Sequence, residues 1–225
     1  MKFATALILS MAIFSSSAFS ADPKDVEKLR NTGSCSGCDL SGYQFPKDAN
    51  LARADLTKAD LRGANLTNAI LTKAKLTKAK LTGAILVSAT LVDTIISHAT
   101  LDGATLDGAD LTKSNLREAS LVGASLQNAN LTKANLREAD LTRANLTGAM
   151  LINARLAEAN FVSSNLSGAD ISGANMNNAK LSGANLTRAN FNGTNLTEAD
   201  LSNAVLVEVD LSSAKIDRTV GIKRF

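Results

Sequence analysis

The chain has 225 residues, with 24 basic and 21 acidic side chains, two prolines, one tyrosine and no tryptophan. Its formal net charge of +3 is too close to neutral for a nucleic-acid-binding protein, and aromatic side chains that could stack on bases are scarce. Most of the apolar content is alanine and leucine, which is typical of a repeat protein rather than an enzyme.

The N-terminus has the pattern of a secretory signal peptide. Lys2 precedes an apolar run over residues 3–14, and small residues follow over residues 15–20. The apolar run is too short to cross a bilayer, and no cysteine stands at the cleavage point to carry a lipid. We therefore expect a signal peptide over residues 1–20, cleaved after Ser20, no membrane span, and a periplasmic or secreted mature protein.

A short capping helix is predicted over residues 21–34. The pattern consists of an N-cap, a first-turn proline, two apolar residues on one face and a terminal glycine: Asp22, Pro23, Val26, Leu29 and Gly33. We expect this helix to cover the first coil of the repeats that follow, whose core and backbone edge would otherwise be exposed.

Cys35 and Cys38 are the only cysteines of the chain. A redox pair would need a low-pKa thiol at a helix N-terminus, whereas this pair follows the predicted helix. A metal site would need two more ligands, and the sole histidine, His98, lies far along the chain. In an exported protein, a structural disulfide or two packed thiols is the favoured interpretation, and no metal is expected.

A five-residue repeat occupies most of the remaining sequence. From Leu51 to Ile216 every fifth residue is a large apolar one, 34 positions in succession, and 29 of the residues two places earlier are alanine. The alanine and the large residue face the same way in an extended chain, and the two residues that follow turn the corner. One repeat cannot stabilise itself, but stacked coils with shared backbone hydrogen bonds can.

The number of repeats in one coil follows from a longer similarity. Residues 111–120 recur as residues 131–140 with eight of ten positions identical, which indicates a coil of 20 residues. Five inner alanines are replaced, and we expect only local repacking there: Thr94, Ser114, Ser164, Thr194 and Val209. Phe45 and Leu51 are six residues apart instead of five, which predicts a bulge where the cap joins the repeats.

This alanine, asparagine or aspartate, leucine pattern resembles the pentapeptide-repeat family over residues 38–216. The resemblance implies an all-β fold, a right-handed four-sided parallel β-helix, over residues 35–217, with residues 218–225 as a C-terminal cap or tail. The segment Cys-x-x-Cys-Asp-Leu-Ser-Gly from Cys35 also resembles the start of the repeats in exported members. The best-known members mimic DNA and protect type II topoisomerases from quinolones, a role that the signal peptide and the near-neutral charge oppose here.

Charged and apolar side chains on the surface are unevenly distributed. Seven basic residues cluster near the start of the repeats; the favoured interpretation is a solvated surface that keeps the rod soluble, and the alternative is a basic-end candidate for an anionic partner: Arg53, Lys58, Arg62, Lys73, Lys75, Lys78 and Lys80. Five outward aliphatic residues form a candidate partner-binding site, with an apolar patch that is merely tolerated on the surface as the alternative: Ile70, Ile85, Val87, Val92 and Ile95. Further along, the 20-residue coil predicts that Glu118, Glu138 and Glu158 stack in one column, beside Arg117 and Arg137.

The C-terminal part of the repeats carries a second aliphatic group, which we interpret as a cap or a dimer contact as in some relatives: Val205, Val207, Val209, Ile222 and Phe225. No nucleophile, carboxylate dyad or phosphate loop interrupts the repeats, so we expect no catalytic residue and no cofactor. The sequence favours a non-enzymatic exported scaffold that binds an unknown protein or envelope component, as a monomer or a C-terminally joined homodimer.

Overall fold

The computed structural model describes residues 20–222. One helix, α1, spans Pro23–Thr32, with Asp22 as its N-cap; the Asp22 carboxylate accepts a hydrogen bond of 2.9 Å from the Lys24 N–H. The helix ends at Gly33, whose φ of 66° is the left-handed conformation that glycine adopts without strain. No helix in this part of the chain is long and apolar enough to cross a membrane.

Helix α1 covers the N-terminal edge of the coil. The Asp22 N–H donates to the Asp39 carbonyl oxygen at 3.0 Å, and the Asp25 carboxylate accepts from the Asp39 N–H at 2.8 Å. Leu29 is buried, and Val26 packs against the same core. The helix therefore covers part of the edge that a solenoid would expose at its first coil, and the Asp39 backbone is paired there.

Behind α1 the chain winds into stacked coils of four repeats each. Parallel bridges join residues 20 positions apart, from Asn50 with Ile70 to Asp200 with Val220. Each bridge is isolated, so within residues 20–222 the coils pair through single residues and not through extended strands. Two of every five residues form a turn, which leaves too few residues in a row for a longer strand.

We name the positions of a repeat by one example, the repeat centred on Leu76. Ala74 is the inner residue, Lys75 the outward residue, Leu76 the central residue, Thr77 the first turn residue and Lys78 the second turn residue. The four faces are numbered by their central residues: Leu51 and Leu71 lie on face 1, Leu56 and Leu76 on face 2, Leu61 and Leu81 on face 3, and Leu66 and Leu86 on face 4.

Backbone hydrogen bonds satisfy four of the five N–H groups in this repeat. The outward Lys75 N–H donates to Ala54 O of the preceding coil at 2.9 Å. The central Leu76 and second turn Lys78 donate to Ile95 O and Ser97 O of the next coil at 2.7 and 3.0 Å. The inner N–H of the next repeat closes the turn, as in Ala79 to Leu76 O at 3.0 Å. The N–H of the first turn residue has no backbone partner, and its partner must come from elsewhere.

The interior is a single column of alanine and large apolar side chains. The central leucines from Leu56 to Leu201 and Phe161 are 0% exposed, and Phe191 is 1% exposed. Buried polar replacements of the inner alanine are hydrogen-bonded: the Thr94 hydroxyl donates to Leu71 O at 2.8 Å and the Ser114 hydroxyl to Leu111 O at 2.7 Å. These contacts explain why the coil accepts small hydroxyl side chains inside.

The register changes once, at the predicted bulge. Before it the bridges join residues 21 positions apart, as in Gln44 with Asn65, and after it 20, as in Asn50 with Ile70. The extra residue lies in the turn after Phe45, where Asp48 has a φ of 58°. In the regular turns the second turn residue has a similar φ, for example 59° at Lys78, which accounts for the lack of β-branched residues at this position.

The C-terminal coil is open. Leu206, Leu211 and Ile216 are only partly buried, and Val205 and Val207 are 46% and 53% exposed. The repeats continue to Val220, which bridges Asp200, so residues 218–220 belong to the coil and do not cap it. Lys223, Arg224 and Phe225, with the predicted signal peptide up to residue 19, lie outside the described residues.

Candidate functional site

The outward position supplies the acceptor that the first turn N–H needs. Nineteen outward positions between Asn50 and Asp210 hold asparagine or aspartate, and in all of them a side-chain oxygen accepts from the N–H two residues later, at 2.8–3.3 Å. Asparagine and aspartate are suited to this bond because their side chains reach the backbone two residues on. The asparagine and aspartate ladder therefore completes the backbone hydrogen bonding of the coil.

Where the first turn residue is threonine, it offers two donors to the same oxygen. At Asp140 the Thr142 N–H donates at 2.9 Å and the Thr142 hydroxyl at 2.5 Å. We call the N–H and hydroxyl of one such threonine a threonine donor pair. The hydroxyl and N–H of Thr57 hold the pKa of Asp55 below its usual range, because both bonds favour the carboxylate.

Eight consecutive repeats lack this acceptor, and we call residues 70–107 the Asx-free segment. Their outward residues are neither asparagine nor aspartate: Ile70, Lys75, Lys80, Ile85, Thr90, Ile95, Thr100 and Thr105. Among residues 20–222, none of the eight first turn N–H groups in this segment has an acceptor. Two full coils thus present unpaired backbone donors on every face.

The five-residue period of alanine and leucine does not reveal the Asx-free segment, because the inner and central positions continue through it with the same kinds of residue. The signal is in the outward position, where asparagine or aspartate fills 19 of the other 26 repeats and none of these eight. Reading that column separately would have indicated the segment from the sequence.

Five of the seven basic-end residues lie on or beside face 2, with Lys75 as its outward residue. Arg53 and Lys73 stack at its corner with face 1, and Lys58 and Lys78 stack at its corner with face 3, as the contacts of Arg53 N–H with Thr72 O and Lys58 N–H with Thr77 O indicate. All five side chains are exposed. The structure brings these five residues to one side of the rod.

Arg62 and Lys80 differ from these five because both lie beside an aspartate. The Arg62 Nη2 atom is 2.6 Å from Asp60 Oδ2, and the Lys80 Nζ atom is 3.9 Å from the same oxygen. The hydrogen bonds from Arg62 hold the pKa of Asp60 below its usual range. Two of the seven basic residues are therefore partly neutralised within the protein.

The five predicted aliphatic contact residues all lie in the Asx-free segment but on three faces. Ile70, Ile85 and Ile95 are outward residues of faces 1, 4 and 2, and are 38–39% exposed. Val87 and Val92 are half-buried first turn residues on faces 4 and 1. Along the rod each isoleucine bridges two polar or charged residues, as Ile95 does with Lys75 and Asn115. A partner that contacts all five must reach around two corners.

The aspartates at the end of the Asx-free segment serve the next coil. Asp102 Oδ1 accepts from the Ser120 hydroxyl at 2.5 Å and from the Val122 N–H at 3.1 Å. Asp107 Oδ1 accepts in the same way from Ser125 and from the Gln127 N–H at 3.0 Å. Ser120 and Ser125 occupy the outward positions of that coil, and their hydroxyls donate to these carboxylates, so the preceding coil supplies the acceptor for the first turn N–H groups.

This exchange can be tested by moving the acceptor. Asp102→Ala is expected to lower the free energy of unfolding by about 1–2 kcal/mol, since it removes two hydrogen bonds to a charged group. Adding Ser120→Asn to Asp102→Ala should recover most of that loss, because asparagine at this position accepts the first turn N–H. Urea unfolding measures both variants, and Asp93→Asn controls for the lost charge. Equal losses in the single and double variants would contradict the exchange.

Exposed ion pairs follow the predicted glutamate column. Arg117 contacts Glu118 at 2.8 Å and Glu138 at 3.3 Å, and Arg137 contacts Glu138 at 3.0 Å and Glu158 at 2.7 Å. His98 Nδ1 lies 3.1 Å from Glu118 Oε2 at the start of the column. Every carboxylate of this column therefore has a nitrogen partner, and we assign the column a structural role.

Cys35 and Cys38 form a disulfide, with 5.2 Å between their Cα atoms. They are 0% and 3% exposed and lie beside Asp25 of helix α1. Because the two sulfurs are bonded to each other, they do not form a thiolate metal site with the Asp25 carboxylate. The disulfide closes a short loop within the first coil, next to helix α1.

Comparisons with known proteins agree with the repeat. The sequence model of the family described as pentapeptide repeats matches in 8 copies, over residues 49–86, 84–123, 119–156, 144–183 and 184–220. HetL, a pentapeptide repeat protein involved in heterocyst differentiation regulation from Nostoc sp. strain PCC 7120, is 35% identical, with 81% of this chain and 91% of that chain covered and a TM-score of 0.39. A search of curated proteins found no match.

Two further solved structures are similar. QnrB1, a plasmid-mediated fluoroquinolone resistance protein, is 20% identical, with 83% of this chain and 86% of that chain covered and a TM-score of 0.50. A pentapeptide repeat protein from the Arabidopsis thaliana thylakoid lumen is 33% identical over 48% of this chain and 66% of that chain, with a TM-score of 0.32. Pentapeptide-repeat proteins form right-handed four-sided β-helices, and the likeness to QnrB1 supports that fold. The family model matches most of the chain between residues 49 and 220, which shows that the chain belongs to the pentapeptide repeat family.

Proposed function

We propose that the protein is a non-enzymatic interaction scaffold of the cell envelope, and that the Asx-free segment is its contact surface. One observation carries this proposal. Over two coils the rod loses the side chains that satisfy its own turns and presents free N–H donors, lysines and isoleucines in their place. Outward residues elsewhere mostly serve the rod, whereas these are available to a partner.

Placement in the envelope rests on the sequence. Residues 1–20 have the pattern of a signal peptide, and a disulfide between Cys35 and Cys38 suits an oxidising compartment. The partner would be a protein or another envelope component, and the low share of aromatic residues in the chain, 4%, argues against nucleic acid.

A topoisomerase-protecting function is the alternative, and the likeness to QnrB1 is the observation that brings it into consideration. At 20% identity that likeness concerns the fold alone. DNA mimicry requires a strongly acidic surface, whereas this chain has a net charge of +3 and a cluster of exposed lysines. An exported protein would also be separated from a cytoplasmic topoisomerase.

Photo-crosslinking in the native host tests the interaction scaffold. Val92 on face 1 and Thr142 on the opposite face are matched probe positions, since both are half-buried first turn residues. The Thr142 N–H is bonded to Asp140, whereas the Val92 N–H has no acceptor among residues 20–222. We expect one discrete adduct at Val92, identified by mass spectrometry, and none at Thr142. No adduct at either site in a correctly exported protein would overturn the proposed surface, and retention in the cytoplasm would overturn the proposed compartment.

The apolar side chains exposed on the open C-terminal coil are the candidate contact for a homodimer. Val205, Val207 and Val220 are 46–55% exposed beside the partly buried Leu206 and Leu211. A homodimer joined at this end would bury these side chains, whereas a monomer would leave them in solvent. Light scattering of the mature protein distinguishes a C-terminally joined homodimer from a monomer when wild type is compared with Val207→Asp.

A further inference from the structure

Two threonine turns of the Asx-free segment have donors but no acceptor. Thr72 and Thr77 are first turn residues on faces 1 and 2, and neither their N–H groups nor their hydroxyls have a partner among residues 20–222. Their outward residues are Ile70 and Lys75, which offer no oxygen in the side chain. In both turns the threonine donor pair therefore has no acceptor among residues 20–222, whereas in other repeats it is bonded to the outward asparagine or aspartate.

The protein itself shows what such a donor pair binds. At Thr142 the pair holds a carboxylate oxygen of Asp140 at 2.9 and 2.5 Å, and at Thr67 it holds the side-chain oxygen of Asn65 at 3.0 and 2.7 Å. The similar turn at Thr57 lowers the pKa of Asp55, so the arrangement favours a negative charge. An unoccupied pair is suited to a carboxylate from another molecule.

Three lysines add positive charge around these two turns. Lys73 and Lys78 follow Thr72 and Thr77 directly, and Lys75 lies between them on face 2. All three are exposed, and none forms an ion pair within 4.0 Å in the described part of the chain. Lys75 contributes to the lowered pKa of Asp55 in the coil below. The third threonine turn, Thr82, is less suitable because Lys80 lies 3.9 Å from Asp60.

We propose that the turns at Thr72 and Thr77, with Lys73, Lys75 and Lys78, bind carboxylate side chains of an acidic peptide segment in a partner protein. This inference rests on the proposed interaction function and gives the chemistry of its partner. The exposed Ile70 and Ile95 lie beside the two turns and would contact apolar side chains of the same segment. The two turns lie at the two corners that border face 2, with Lys75 between them, so one extended acidic segment lying across face 2 can reach both.

A substitution that changes no charge separates this proposal from general attraction to lysine. Ile70→Asn supplies the missing acceptor to Thr72, as asparagine does in other repeats, and should compete with the ligand. Lys75→Ala and Lys75→Asn remove the same charge, but only asparagine fills the turn at Thr77. Met150→Asn is the matched control, because Met150 is an outward residue of face 1 with 40% exposure against 38% for Ile70.

The experiment measures binding of a fluorescein-labelled peptide of alternating aspartate and leucine to the full mature protein by fluorescence anisotropy at low salt. We expect Ile70→Asn to weaken binding by about tenfold, and Lys75→Asn to bind more weakly than Lys75→Ala, since a charge-assisted hydrogen bond is lost in each comparison. Met150→Asn should bind like wild type. Circular dichroism confirms that each variant is folded.

Three results would overturn the proposal. The peptide does not bind wild type; Ile70→Asn binds as well as wild type while Lys73→Ser does not; or vesicles of phosphatidylglycerol or inorganic phosphate bind at these residues while the peptide does not. The proposed function would survive any of them if crosslinking at Val92 still captures a partner. Failure of crosslinking at Val92 with intact peptide binding would instead overturn the proposed function and leave the carboxylate site in place.

Discussion

Replacement of Leu136 by alanine is expected to lower the free energy of unfolding by about 2–5 kcal/mol. Leu136 is 0% exposed and lies on face 2 between Leu116 and Leu156 of the neighbouring coils. Its N–H donates to Arg155 O at 2.8 Å, and its carbonyl accepts from the Ala139 N–H at 3.1 Å, so the backbone is held in place and cannot collapse into the cavity. Urea unfolding followed by circular dichroism measures the loss.

The adjacent Arg137 provides the control for this prediction. Arg137→Ala removes contacts with Glu138 and Glu158 at 3.0 and 2.7 Å, but these side chains are 33–46% exposed. Such surface pairs contribute less than about 1 kcal/mol. Because stacked repeats can unfold in parts, the denaturant dependence of both variants must match that of wild type before the values are compared. A smaller loss for Leu136→Ala than for Arg137→Ala would contradict a stabilising leucine column.

The coil and its cap could be predicted because their determinants are local or strictly periodic. Asp22 and Gly33 stand where a helix start and end need them, and both perform those roles. The similarity between residues 111–120 and 131–140 gives the 20-residue offset of the bridges. The extra residue between Phe45 and Leu51 likewise appears as the change from 21 to 20 in that offset.

Neighbouring coils pair through single bridged residues, whereas the expected β-helix would pair them through strands. A repeat of five residues spends two on the turn, and three remaining residues leave room for one bridged residue on each face. The β-helix is therefore built from bridges and turns, and its hydrogen bonds must be counted group by group. That count, and not the hydrophobic period, reveals which turns satisfy themselves and which do not.

Interactions between coils explain what the linear pattern could not give. Asp102 appears in sequence as one acidic surface residue, yet its partners are Ser120 and Val122 of the next coil. Val209 appears as a mild replacement for alanine, but Phe191 and Asp210, 19 residues apart, lack the hydrogen bond that corresponding residues make elsewhere. The larger inner side chain therefore coincides with a missing bond between the last two coils on face 1.

Reduction of the disulfide between Cys35 and Cys38 is expected to lower the free energy of unfolding by roughly 2 kcal/mol, the value for a short closed loop. The bond fixes a segment that contacts both its neighbours: Cys35 N–H donates to Asp55 O of the next coil at 2.7 Å, and Asp39 N–H, directly after Cys38, donates to the Asp25 carboxylate of α1 at 2.8 Å. Thermal unfolding with and without a phosphine reductant measures the change, and a Cys35→Ala/Cys38→Ala variant, which cannot respond to the reductant, is the control. Equal stability of the oxidised and the fully reduced wild type would contradict a structural role of the disulfide. Reduction must be complete for this comparison, because both cysteines are nearly inaccessible in the folded protein.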